Sequence, residues 1–185
     1  MEKPELNRNP VFIDNRGTFA PLQLKYNDKN QSHLIKDWIQ SNVSVNPHKH
    51  TLRGLHYQIE PYAQAKLIKV ISGAIIDFIV DIRPRSADYG SVHIFDLKQS
   101  DELLVPAGFA HGFITIEDNT VVQYLVDNRY SPASERSMLW SSVDEVVKYL
   151  NDNINEFNLE SVLISPKDKE CQTYQEKIAE YKFAK

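Results

Sequence analysis

From Val11 to about Trp140 the chain alternates short apolar runs with clusters of turn residues. The runs are rich in Val, Ile, Phe and Tyr. The breaks carry Asn15-Arg16-Gly17, Ser72-Gly73, Pro84-Arg85-Ser86 and Pro106-Ala107-Gly108. Such spacing predicts a mainly β protein, a sandwich or barrel of short strands. Ile75 to Arg83 reads as one strand, and alternation of its side chains puts Asp77, Ile79 and Asp81 on one face. A buried Asp without a partner is costly, so a cation or a His is expected beside these carboxylates. Leu103-Leu104-Val105 and Ile114-Thr115-Ile116 read as strand on either side of Pro106-Ala107-Gly108-Phe109-Ala110-His111-Gly112-Phe113. Only Asn30 to Trp38 has a helical cast within this region.

After Trp140 the period changes. Val143, Val146, Val147 and Leu150 share a helical face, with Asp144, Glu145 and Lys148 opposite. Gln172 to Phe183 reads either as a further helix or as a frayed charged tail. The expected organisation is one domain over 1–185, with a β core at about 11–140 and a helical C-terminal segment over 143–185.

Composition narrows the class. A chain of 185 residues can bury a full core as one domain. The net charge of -4 argues against a nucleic-acid-binding surface, although a few local Arg and Lys suffice for a diphosphate. A single cysteine, Cys171, excludes an intramolecular disulfide framework and fits a reducing cytosol. No run has signal-peptide character, and no apolar stretch reaches the length of a membrane span. The expectation is a soluble, cytoplasmic protein with neither nucleic acid nor membrane as partner.

The chemistry concentrates in Arg53-Gly54-Leu55-His56-Tyr57-Gln58 and in Lys66, which follows His56 at a spacing that one strand, a turn and a returning strand can close. A histidine base beside a fixed cation suits removal of a proton next to a carbonyl. The base takes the proton and the cation stabilises the developing enolate oxygen. Arg53 can hold a phosphate. Read alone, the hexapeptide is equally a buried strand whose His hydrogen-bonds its neighbours. His111 supplies a second imidazole on a strand, and P-x-G-x-x-H has the form of the second cupin motif.

Taken in order, the segments resemble the dTDP-4-dehydrorhamnose 3,5-epimerase family. They are F-x-D-x-R-G-x-F (Phe12, Asp14, Arg16, Gly17, Phe19), Q-x-N-x-S (Gln40, Asn42, Ser44), R-G-L-H-Y-Q, Q-A-K-L, D-x-x-x-D-I-R, P-A-G-F-A-H-G-F, the pair Tyr124 and Tyr130, and S-x-K-D ending at Asp168. The resemblance implies a cupin-like jelly roll that epimerises C3 and C5 of a nucleotide-linked 4-keto-6-deoxyhexose. It also implies a homodimer built by strand exchange, and no metal or nicotinamide cofactor. Residue by residue, His56 matches the catalytic base, Asp168 its carboxylate partner, Lys66 the enolate-stabilising lysine and Tyr124 the acid on the opposite face. Arg53 matches a diphosphate-binding arginine, and Asp77 and His111 match polar groups near the sugar. Gln40 and Asn42 match residues lining the nucleotide site, and Tyr130 an aromatic of the sugar pocket or the base. Arg16 matches an arginine donated across the dimer.

Two departures bear on substrate. The family's Glu after R-G-x-F is Pro21 here, which leaves the nucleotide base open. The usual tail after Trp140 is replaced by Ser141-Ser142-Val143-Asp144, a segment that the resemblance places near the sugar-binding mouth. Asp81 and Asp144 are fallback partners for His56, with Asp81 more suited to Arg83 or Arg53. The alternatives are a monofunctional 3- or 5-epimerase or ketoisomerase on another nucleotide sugar, a binding module without activity, and a metal-dependent cupin. The last rests on His48-Lys49-His50 with His111. It lacks the usual Glu after H-x-H, where Gly54 and Leu55 stand, and Pro47 makes His48 to His50 look like a turn.

Overall fold

The computed structural model describes Lys3 and residues 5–8, 12–14, 17–19 and 38–182. Arg16, Pro21 and nearly all of the Asn30 to Trp38 segment lie outside the described residues.

The strands are β1 (Glu5–Arg8), β2 (Phe12–Asp14), β3 (Gly17–Phe19), β4 (Gln40–Asn46), β5 (Leu52–Gln58), β6 (Lys66–Ser72), β7 (Ala74–Asp81), β8 (Val92–Lys98), β9 (Asp101–Val105), β10 (Phe109–Thr115), β11 (Thr120–Val126) and β12 (Glu135–Ser137). Helices follow at α1 (Asp144–Asn153), α2 (Pro166–Lys169) and α3 (Tyr174–Lys182). One five-stranded sheet has the order β1-β9-β6-β11-β4, the other β12-β5-β10-β7-β8, and β2 pairs with β3 as a hairpin. The strand pairs are antiparallel. This is a mainly β, cupin-like jelly roll with short C-terminal helices: the spacing of turn residues predicts the sandwich, and the family resemblance implies the jelly roll.

Alternation along β7 builds two apolar layers. Ile75 and Ile79 join Ile68, Val70, Leu103, Val105, Phe109, Phe113 and Val122 in the cluster between the sheets. Ile76, Phe78 and Val80 face the other way, into a second cluster with Leu52, Leu55, Tyr57, Trp140, Val143, Val146 and Leu150. Each side chain so buried contributes roughly 1.5–3 kcal/mol. The second sheet is therefore covered on both faces, inside by the first sheet and outside by the segment after Trp140.

That placement corrects one expectation. The resemblance sets the altered segment after Trp140 near the sugar-binding mouth, but α1 packs behind the second sheet, because its apolar face is what that sheet lacks outside. The helix expected over Val143 to Leu150 is formed as α1, and the tail from Gln172 is helical over Tyr174–Lys182. No helix among the described residues is long and apolar enough to cross a membrane.

Candidate active site

A cavity of about 530 Å³ opens between the two sheets. The first sheet contributes Lys66 from β6 and Tyr124 from β11. The second contributes Arg53 and His56 from β5, His111 from β10 and Glu135 from β12. Asp168 and Lys167 reach it from α2, and Tyr130 from the loop after β11. It thus collects seven of the residues singled out by sequence: Arg53, His56, Lys66, His111, Tyr124, Tyr130 and Asp168.

The glycine of R-G-L-H is dictated by a close approach. Gly54 has φ +120, and a Cβ there would lie 2.5 Å from the Cα of Gly112 on β10. Only Gly fits this conformation and this contact. The strands meet so that His56 pairs directly with His111, with a register shift between His111 and Phe113.

Each imidazole has its own carboxylate. His56 Nε2 lies 2.6 Å from Asp168 Oδ1, with the His side chain 32% exposed and the Asp 6%. Burial alone would raise the Asp168 carboxyl. Hydrogen bonds from His56 and Ser165, the charge of His56 and the backbone N–H of Gly54 together hold it below the usual range. Asp168 reaches this place through local rules. Ser165 caps α2, accepting from the Asp168 N–H, and Pro166 follows at the start of the helix. The arm leading to it is pinned to β5, where Leu52 N donates to Leu163 O at 2.8 Å and Leu163 N to His50 O at 2.9 Å.

The second pair is deeper. His111 Nε2 lies 2.8 Å from Asp77 Oδ2, so the buried carboxylate has the His that its burial called for. Burial raises Asp77, against His111 and Lys66. Burial also lowers His111, against Asp77. Asp77 stands behind His111 rather than in the cavity wall, and its Oδ1 is buried without a hydrogen-bond partner.

Lys66 is 8% exposed and donates to the main-chain carbonyl of His56 at 3.0 Å. Burial lowers its pKa to about 8, and Asp77 and Glu135 oppose the shift. Tyr124 lies on the opposite sheet from His56, with its phenol raised by burial and partly offset by Arg53. Arg53 Nε donates to Asn46 Oδ1 at 2.8 Å, which directs the guanidinium along the cavity wall.

The remaining expectations fare differently. Gln40 and Asn42 stand on edge strand β4, with Gln40 Nε2 donating to Asn42 Oδ1 at 2.7 Å, and neither lines the cavity. Asp81 is committed to Arg83, at 2.6 Å to Nη2, and to Ser86. Asp144 lies in the first turn of α1. Both fallback partners for His56 are thereby set aside. His48 to His50 lie in a turn after β4, and no group of three His, Cys, Asp or Glu able to hold a metal occurs among the described residues.

Sequence reasoning missed Glu135. Its Oε2 accepts from Tyr130 Oη at 2.8 Å and from Lys167 Nζ at 2.5 Å, which closes a polar cluster at the mouth. Its neighbours Ser134, Arg136 and Ser137 give no periodic signal. The nearest clue is Lys167, already inside the S-x-K-D motif.

The family model for dTDP-4-dehydrorhamnose 3,5-epimerase matches residues 5–176. A protein of that name from Shigella flexneri is 36% identical over 170 residues, 89% of this chain and 87% of the relative. Its counterpart in Escherichia coli K12 is 35% identical over 176 residues, 91% of this chain and 88% of the other. The crystal structure of the Bacillus anthracis enzyme of the same name, with TDP and PPi bound, superposes with TM-score 0.77 at 34% identity, covering 92% of this chain and 93% of that one. A Legionella pneumophila epimerase in complex with dTDP-4-keto-L-rhamnose gives TM-score 0.80 at 27% identity, covering 96% and 91%. On the family match across most of its length and on these relatives, the chain belongs to the dTDP-4-dehydrorhamnose 3,5-epimerase family.

Proposed function

We propose that this protein epimerises C3 and C5 of dTDP-4-dehydro-6-deoxyglucose to give dTDP-4-dehydrorhamnose. One observation carries the reading: a His–Asp pair and a tyrosine face one cavity from opposite sheets, with a buried lysine from the tyrosine's sheet also in the wall. The ligands held by the Bacillus and Legionella relatives, TDP with PPi and dTDP-4-keto-L-rhamnose, support a nucleotide-sugar occupant.

In this reading His56 removes the proton from the carbon next to the C4 ketone, while Asp168 fixes its tautomer and stabilises the imidazolium. The electron pair moves onto the C4 oxygen, where the Lys66 ammonium stabilises the enolate. Tyr124 then returns a proton from the other face, inverting the carbon. Removal and return of a proton at one carbon changes no oxidation state. Arg53 binds the diphosphate, and His111, oriented by Asp77, donates or accepts at the sugar. Gln40 and Asn42 serve the nucleotide end on β4. A homodimer completes the site with Arg16. Ile39 just before β4 and Val43 and Val45 on it are exposed, and β4 is an outer strand of its sheet among the described residues, which supplies apolar surface for such a partner.

Proton NMR of dTDP-4-keto-6-deoxyglucose incubated with the protein in D₂O tests the reading. Deuterium at both C3 and C5 with inversion is expected. Label at one carbon only would make it a monofunctional epimerase, and no label would overturn the assignment.

A further inference from the structure

Gln58, the last residue of R-G-L-H-Y-Q, is 6% exposed, yet its amide is fully engaged. Nε2 donates to Tyr62 O at 2.6 Å and to Arg129 O at 3.0 Å. Oε1 accepts from Ser131 N at 2.6 Å. Both N–H groups of the amide are used, so it has no donor left for a ligand although it borders the cavity. Its partners come from two rim loops, 59–65 and 127–134, that meet at the mouth. The groups it holds on the second loop, Arg129 O and Ser131 N, flank Tyr130 on both sides.

Other polar groups zip the same loops. Asn128 Nδ2 donates to Pro61 O at 3.0 Å and Ala63 O at 3.2 Å. Gln64 Nε2 donates to Asn128 O at 2.7 Å, and Ala65 N to Asp127 Oδ1 at 2.8 Å. Tyr130 itself is 54% exposed and has little packing to hold it. Its phenol meets Glu135, but its backbone is placed by Gln58.

We infer that Gln58 is a positioning residue that fixes Tyr130 at the cavity mouth for capture of the nucleotide sugar, without touching the reacting atoms. The inference rests on the proposed epimerase reading for its substrate. A loosened Tyr130 weakens ground state and transition state alike, so KM should rise while kcat holds.

The test uses Gln58→Met, which removes all three bonds, and Gln58→Glu, which keeps the acceptor and loses the donors. Each is made alone and with Tyr130→Ala, and assayed on dTDP-4-keto-6-deoxyglucose beside the unaltered protein. Both single variants should raise KM about tenfold with kcat within about twofold, and neither should add to the KM of Tyr130→Ala. Trypsin should cut after Arg129 about tenfold faster in both, because the carbonyl of that bond is released. A full additional KM effect in the Tyr130→Ala background would overturn the inference. So would a fall in kcat at unchanged KM, an unchanged cleavage rate, or loss of the folded state in both variants. An inactive unaltered protein would instead sink the epimerase reading, and the protease rates would still decide whether Gln58 fixes the rim.

Discussion

The ammonium of Lys66 donates to the main-chain carbonyl of His56 at 3.0 Å, so the cation on one sheet is tied to the strand of the other sheet that carries the imidazole. The ammonium and the imidazole-bearing strand are thereby linked across the two sheets. The first consequence concerns pH. The Lys66 pKa of about 8 means that its charge is lost as pH rises through that value. The pH profile of kcat/KM should carry an alkaline limb near pH 8, and Lys66→Arg should move that limb upward if it retains activity. Lys66→Met should cost roughly 10²–10³-fold in kcat. Stability moves in the opposite sense. Below about 8 the amine is charged in both states, and its burial costs stability. Between about 8 and 10.5 the folded state gives up the proton first, so stability attributable to Lys66 rises with pH. Chemical denaturation at pH 7 and 9.5 would show the gain, and Lys66→Met should abolish it.

The His56–Asp168 bond predicts a matched pair of losses. In the proposed mechanism His56→Ala removes the base, and Asp168→Asn removes the charge that stabilises the imidazolium. Each should lower kcat by roughly 10²–10⁴-fold with the fold intact. Steady-state rates on the 4-keto sugar check this, and normal rates for Asp168→Asn would refute the dyad.

Tyr124 and His56 occupy opposite sheets, so in the proposed mechanism proton removal and proton return fall to different faces of the sugar. Tyr124→Phe should still exchange substrate hydrogen with solvent, since His56 can take a proton and give it back on its own face. Inversion should fall by roughly 10²–10⁴-fold. Comparing deuterium incorporation with product formation in D₂O measures the split, and equal losses of both would contradict it.

Arg53 is aimed by the buried amide of Asn46. Arg53→Ala should raise KM by roughly 10–100-fold through loss of a charge-assisted contact. Asn46→Ala should raise it less, by loosening the guanidinium. A calorimetric titration with dTDP distinguishes this binding role from an effect on turnover.

Gly54→Ala tests the strand approach that pairs His56 with His111. The new methyl would meet the Cα of Gly112 at 2.5 Å, and φ +120 is strained for any other residue. Strain and overpacking together should cost roughly 2–4 kcal/mol, read as a lowered denaturation midpoint.

Much of this was legible in the chain because its chemistry sits on short local patterns. Turn clusters at Ser72-Gly73 and Pro106-Ala107-Gly108 delimit strands, and alternation on β7 separates Phe78 from Ile79. Ser165-Pro166 before Asp168 is a helix start that can be read directly. What was hidden is contact between segments distant in sequence. The commitment of Asp81 to Arg83 is local and readable, whereas the partner of Asp77 lies on β10, 34 residues away. Glu135 acts through Lys167 across the mouth, 32 residues on, with no periodicity to mark it. The covering of the second sheet by α1 was misplaced because a helical stripe tells which face is apolar, not which sheet it seeks.

The dyad joins residues 112 positions apart, and its two halves are supported differently. His56 belongs to a central strand held by neighbours on both sides, while Asp168 arrives on a short arm laid over the finished sandwich. The arm's loss of one carboxylate would leave the cavity, Arg53 and the rim as they are. On the roles proposed here, a single substitution there would lower turnover while leaving the nucleotide-sugar pocket in place.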